Sequence, residues 1–146
     1  MASVVSSLVY LLDTNILSEV TRATPNAGVL ARIRKAGNGI ATSAITWHEL
    51  QHGLALLAPS RKREAIVAYL ESLRQAELPI LPYSVEAAEW HAAERARLTA
   101  KGLTPPFVDG QIAAIARVNK LTLVTRNLAD FKNFSGLKIQ NWFSGD

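Results

Sequence analysis

The chain has no cysteine. Disulfides and thiolate metal sites are therefore excluded, and a reducing cytoplasm is the expected location. No apolar run approaches the ~18 residues that a membrane-spanning helix needs. The N-terminus carries neither a basic region ahead of an apolar stretch nor an evident cleavage site, so no signal peptide is expected. Internal repeats and low-complexity segments are also missing. Aspartate is scarce: 146 residues include four, Asp13, Asp109, Asp130 and the terminal Asp146. With 49% apolar residues and mixed charge, a chain of this length is expected to fold as one domain, residues 1–146, with 1–7 as a loose tail.

What is present is organised around Leu8-Val9-Tyr10-Leu11-Leu12-Asp13-Thr14-Asn15. An apolar run without polar alternation reads as a strand buried on both faces, as at the centre of a parallel sheet. Asp13 then falls at the strand's carboxyl end, where open α/β sheets place their ligand crevices. Asp13 could equally cap the helix that follows, since aspartate is a favoured N-cap. Asp109 and Asp130 also fall at loop–helix junctions, which favours a shared site.

Downstream, Asn15 to Thr21 reads as a short helix, and Thr24-Pro25 as the start of a second one ending near Gly37. Gly39 to Thr42 is a short strand. Ile45 to Leu57 and Arg61 to Ala76 follow as helices, the latter with Ile66, Tyr69, Leu70 and Leu73 inward. Leu78 to Tyr83, with two prolines, reads as an edge strand. Ser84 caps a helix from Val85 to Lys101 that stops at Gly102. Thr104 to Phe107 is a stiff connector, and Asp109 opens the helix reaching Val118. Leu121 to Thr125 is a second apolar strand, Asn127 to Phe131 a turn or short helix, and Leu137 to Trp142 the last strand. Strands alternating with helices predict a parallel, helix-flanked α/β sheet.

Glu49 admits three readings. His48-Glu49-Leu50-Gln51-His52 matches the H-E-x-x-H pattern of zinc peptidases, with Glu71 or His91 available as a third ligand. Thr46-Trp47-His48-Glu49 also fits a capping box, in which the glutamate serves only its own helix. The third reading joins Glu49 to the aspartates in one acidic pocket. Setting those four carboxylates apart leaves 16 basic against 8 acidic groups, a basic shell suited to a polyanion.

The motif pieces favour the third reading. They are Leu-Asp-Thr-Asn at 12–15, Glu-Leu-x-x-Gly at 49–53, Asp-x-x-Ile-Ala-Ala at 109–114 and Thr-Arg-Asn-x-x-Asp-Phe at 125–131. Together, in this order, they resemble the PIN-domain ribonucleases, and among them the VapC-type toxins, over nearly the whole chain from Val9 to Trp142. The resemblance implies a three-layer α/β/α sandwich around a mainly parallel sheet. It implies that Asp13, Glu49, Asp109 and Asp130 are the catalytic, metal-binding carboxylates, and that Asn15, Thr125 and Asn127 shape the pocket. It further implies an endoribonuclease dependent on Mg²⁺ or Mn²⁺, an RNA substrate, an antitoxin encoded by the adjacent gene and a homodimer, with no membrane role. A zinc peptidase using His48, Glu49 and His52, or a catalytically silent PIN-like module binding RNA or protein, are the alternatives.

The proposed chemistry suits these residue types. Phosphodiester cleavage builds charge on phosphate and leaving-group oxygens, which divalent cations neutralise. Mg²⁺ and Mn²⁺ prefer hard oxygen ligands to imidazole. Without metal, two carboxylates ~4–5 Å apart repel by roughly 3–4 kcal/mol at an effective dielectric of ~20, so such a cluster is costly unless it is used.

Overall fold

The structure is a computed structural model that describes residues 7–143. The predicted tail at 1–7 lies outside the described residues except for Ser7. Five short strands form one all-parallel sheet in the order β3-β2-β1-β4-β5. They are β1 (Tyr10–Leu12), β2 (Ile40–Ser43), β3 (Ile80–Leu81), β4 (Thr122–Val124) and β5 (Ile139–Gln140). The helices are α1 (Thr14–Glu19), α2 (Ala27–Ala36), α3 (Ala44–Ala55), α4 (Arg61–Gln75), α5 (Val85–Ala100), α6 (Phe107–Val118) and α7 (Leu128–Phe131). Parallel neighbours need crossover connections, and these helices supply them on both faces of the sheet.

The period of two along a strand explains why β1 is apolar throughout. Leu11 pairs with Ala41 and Leu123, and all three enter one core with Ala87 and Leu98 of α5, Ile112 and Ile115 of α6 and Phe131 of α7. Leu12 pairs with Val124, and both enter the opposite core with Ile16, Leu17, Val29 and Trp142. Two cores on two faces make the three-layer α/β/α sandwich that the motif pattern implied. Thr42, on β2, buries its hydroxyl by donating to the Leu12 carbonyl at 2.8 Å.

Several boundaries differ from expectation. Val9 is 48% exposed, so the buried strand is confined to Tyr10–Leu12. Asn26, not Thr24, caps α2, because its side chain reaches the Val29 amide. The capping box at Thr46 does not form: Ser43 is the cap of α3 and accepts from the Thr46 amide, which leaves Glu49 mid-helix. Helix α6 begins at Phe107, so Asp109 is its third residue and does not open it. On α4 only Leu70 is fully buried, with Ile66, Tyr69 and Leu73 partly covered. The edge strands at 78–83 and 137–142 shrink to two residues each.

Candidate active site

Strand order sets the place. From β1 the chain turns to β2 on one side, and from β4 to β5 on the other, so the β1–β4 pair is the switch point of the sheet. The helices that follow diverge there and leave a crevice beyond the carboxyl ends. Asp13 ends β1 and Thr125 ends β4, on its two lips.

Asp13 caps α1 and also occupies the crevice, so the two readings of this residue coexist. It is only 6% exposed, and Oδ1 accepts from the Thr14 amide at 2.8 Å. Oδ2 accepts from the Thr125 hydroxyl at 2.8 Å and lies 3.4 Å from the Asn15 amide nitrogen. The Thr125 hydroxyl oxygen in turn accepts from the Asn127 backbone amide at 3.1 Å, and Asn15 Oδ1 accepts from the Arg126 amide at 3.1 Å. Asn15, Thr125 and Asn127 thus fasten the end of β1 to the loop after β4, Asn127 through its backbone. Burial pushes the Asp13 carboxyl up from its ordinary range. Hydrogen bonds from Thr14 and Thr125 oppose that shift, while the charges of Glu49 and Asp130 add to it.

Glu49 projects from α3 toward the same lip. The Thr14 hydroxyl donates to its Oε1 at 2.7 Å, with the Thr46 hydroxyl 3.3 Å from that of Thr14. Asp130 stands exposed in the first turn of α7. Asp109, half-buried on α6, is pushed up to about 6, first by burial and then by the charges of Asp130, Asp13 and Glu49. All four predicted carboxylates therefore act on one another from four different elements. The donors are all oxygens, which fits a hard divalent cation, and a cation would relieve the repulsion that raises Asp109. Among the described residues, however, no three His, Cys, Asp or Glu side chains already stand as a group that could hold an ion.

An open groove of about 930 Å³ runs from Thr14 and Glu49 between α1, α3 and α4, with Arg22, Lys62 and Tyr69 on its walls. The histidines take no part in a metal group. His48 and His52 are exposed on α3 with near-parallel rings 6.0 Å apart. His91 is buried and engaged by Tyr83, and Glu71 is exposed beside Trp47 and Gln51 on the α3–α4 side. Among the described residues, the zinc pattern thus has no third ligand.

Sequence reading passed over Thr14, although it sits inside the Leu-Asp-Thr-Asn motif and holds Glu49. It also passed over Gly110, whose signal was a glycine in a helix interior, where it costs about 1 kcal/mol against alanine.

Fold and site together define an α/β/α protein with an acidic, all-oxygen pocket at the carboxyl end of a parallel sheet. The PIN domain model matches residues 10–137, and the chain belongs to the PIN-domain family. It is 36% identical over 127 residues to toxin FitB of Neisseria gonorrhoeae, covering 83% of this chain and 89% of that protein. It is 32% identical over 140 residues to ribonuclease VapC2 of Rickettsia felis, covering 92% and 98%. The crystal structure of FitAcB from Neisseria gonorrhoeae superposes with a TM-score of 0.84 at 32% identity, covering 92% of this chain and 99% of that one.

Proposed function

We propose that this chain is a metal-dependent endoribonuclease, the toxin of a VapC-type toxin–antitoxin pair, with Asp13, Glu49, Asp109 and Asp130 holding Mg²⁺ or Mn²⁺. The observation that carries the reading is four carboxylates from separate elements sharing one crevice, where burial first, and then the charges of Asp130, Asp13 and Glu49, hold Asp109 up at about 6. A fold gains nothing in stability from that arrangement, whereas a bound divalent cation reverses its sign. The relatives named ribonuclease and toxin support the same activity. They also support an RNA substrate and an antitoxin partner, and they disfavour the peptidase and the silent module.

The bound cation supplies Lewis-acid stabilisation of phosphate charge and a more acidic water. The protein's own residues prepare the place. Asp13, immobilised by Thr14 and Thr125, is the fixed carboxylate; Glu49 is exposed and held at one oxygen by the Thr14 hydroxyl, and Asp130 is exposed. Asp109 gains from the amino end of α6, whose dipole favours the ionised form. Arg22 and Lys62 place positive charge along the groove that leaves Glu49, the path a polyanion would follow.

Expression of the chain alone should arrest growth of a bacterial host, and co-expression with the adjacent gene's product should relieve the arrest. Normal growth in a host making the soluble chain, combined with RNA cleavage by the purified protein, would reject the toxin role and keep the ribonuclease.

A further inference from the structure

His91 lies on α5, outside the four motifs, and is 1% exposed. Its Nδ1 is 2.8 Å from the Tyr83 hydroxyl, and its ring packs on Phe107, centroid to centroid 4.9 Å. Its Nε2 is the one buried side-chain nitrogen or oxygen among the described residues without a hydrogen-bond partner. Nε2 points at the bare Cα of Gly110. A methyl group built there would overlap Nε2 and fall 2.6 Å from Cδ2. By contrast, the other mid-helix glycine, Gly53 on α3, has open space where a methyl would go.

A buried imidazole with an orphan nitrogen is a cost that native structures rarely carry without return. Here the return is contact. Because Gly110 has no side chain, the ring reaches the backbone of the first turn of α6, next to Asp109. Phe107, two residues before Asp109, closes over the same ring, and Arg95 of α5 binds the Pro105 carbonyl at 2.9 Å just ahead of the helix. The chain of contacts runs from Tyr83 behind β3, through His91, to the turn that carries Asp109.

We propose that His91 is a positioning residue for Asp109: hydrogen-bonded to Tyr83 and seated on the bare Cα of Gly110, it sets where the first turn of α6, and so the Asp109 carboxylate, stands relative to Asp13. The inference rests on Asp109 being a cation-binding carboxylate, as proposed above. His91 itself touches neither ion nor RNA. Neutral imidazole suits this place, and burial together with nearby Arg95 holds the His91 pKa below its ordinary value. In the tautomer that carries the proton on Nδ1, the ring donates to the Tyr83 hydroxyl and turns a bare lone pair toward Gly110, which is cheaper to bury than an N–H.

The test compares wild type, Gly110→Ala, His91→Ala, Tyr83→Phe, the pair Gly110→Ala with His91→Ala, and Asp109→Asn. Circular dichroism checks the fold. Direct Mn²⁺ binding is read from loss of the free-ion paramagnetic resonance signal, and RNA cleavage is followed at varied Mn²⁺. Folded Gly110→Ala should bind Mn²⁺ at least about tenfold more weakly, the scale seen when a metal ligand loses its support. Folded His91→Ala should also bind Mn²⁺ more weakly, and the pair should be no weaker than the worse of its two single variants, because both act through one contact. Tyr83→Phe, which keeps the volume and removes the hydrogen bond, should weaken Mn²⁺ binding in the same direction, and it decides the matter if Gly110→Ala does not fold. Wild-type Mn²⁺ binding in folded Gly110→Ala or in folded His91→Ala, or fully additive losses in the pair, would overturn the inference. If Gly110→Ala does not fold, wild-type Mn²⁺ binding in Tyr83→Phe would overturn it. Wild-type Mn²⁺ binding in Asp109→Asn would instead overturn the metal site on which it rests.

Discussion

Replacing Asp109 by asparagine should stabilise the metal-free protein at neutral and alkaline pH while removing a proposed metal ligand. The carboxyl is raised from 3.8 to about 6 in the folded state. The native protein therefore keeps a proton that the unfolded chain has lost between those values, and wild-type stability falls as pH rises through that window. A shift of about two pH units corresponds to roughly 3 kcal/mol as an upper bound. Asp109 is only half-buried, so solvent screening reduces this to about 1 kcal/mol. Urea unfolding with a chelator present should show Asp109→Asn more stable than wild type by about 1 kcal/mol near pH 8, with the difference vanishing near pH 4. Adding Mn²⁺ at about a hundred times its dissociation constant should then stabilise wild type by ~2.7 kcal/mol and leave the variant almost unchanged. A variant equal to or weaker than wild type at pH 8 without metal would refute the claim that burial and like charges together hold the Asp109 carboxyl up.

The remaining predictions touch other parts of the molecule. Glu94, buried on α5, accepts from Arg97 at 2.8 and 2.9 Å and from the Ser135 amide, contacts that hold its carboxyl down at about 2. Glu94→Gln should destabilise by about 1–3 kcal/mol at pH 7, read by urea unfolding. Because the folded pKa is depressed, the contribution of Glu94 should be lost as pH falls from about 4.5 toward 2. His48→Ala and His52→Ala should leave Mn²⁺-supported RNA cleavage within about twofold of wild type, since imidazole suits softer ions than these. Loss of cleavage in either folded variant would restore a metal role for the pair.

Which features were legible in the sequence follows from where the signal was local. The unbroken apolar run before Asp13 revealed a strand buried on both faces, because the burial of Leu11 and of Leu12 on opposite sides is written directly in the chain. Helix α6 starts two residues before the position the sequence predicts, since Pro105-Pro106 carries the signal of a stiff connector while Pro106 is the helix cap. Ser43 and not Thr46 caps α3: serine and threonine carry the same local signal, and only the register of β2 decides between them. The partnership of Asp13 with Thr125 spans 112 residues, and nothing local announces it. The same holds for His91, which the zinc pattern offers as a third ligand and the fold packs on Gly110. Its role is created by the docking of α5 on α6, and no spacing rule encodes that contact.

In the proposed reaction the carboxylates gathered from the end of β1, α3, α6 and α7 run cation-dependent RNA cleavage. The most direct measurement is cleavage of RNA by the purified chain, with and without Mn²⁺, alongside Asp109→Asn shown by circular dichroism to be folded. The account predicts cleavage by wild type only when the cation is present, and none by Asp109→Asn under either condition. Full activity in folded Asp109→Asn, or undiminished wild-type cleavage after chelation, would contradict it.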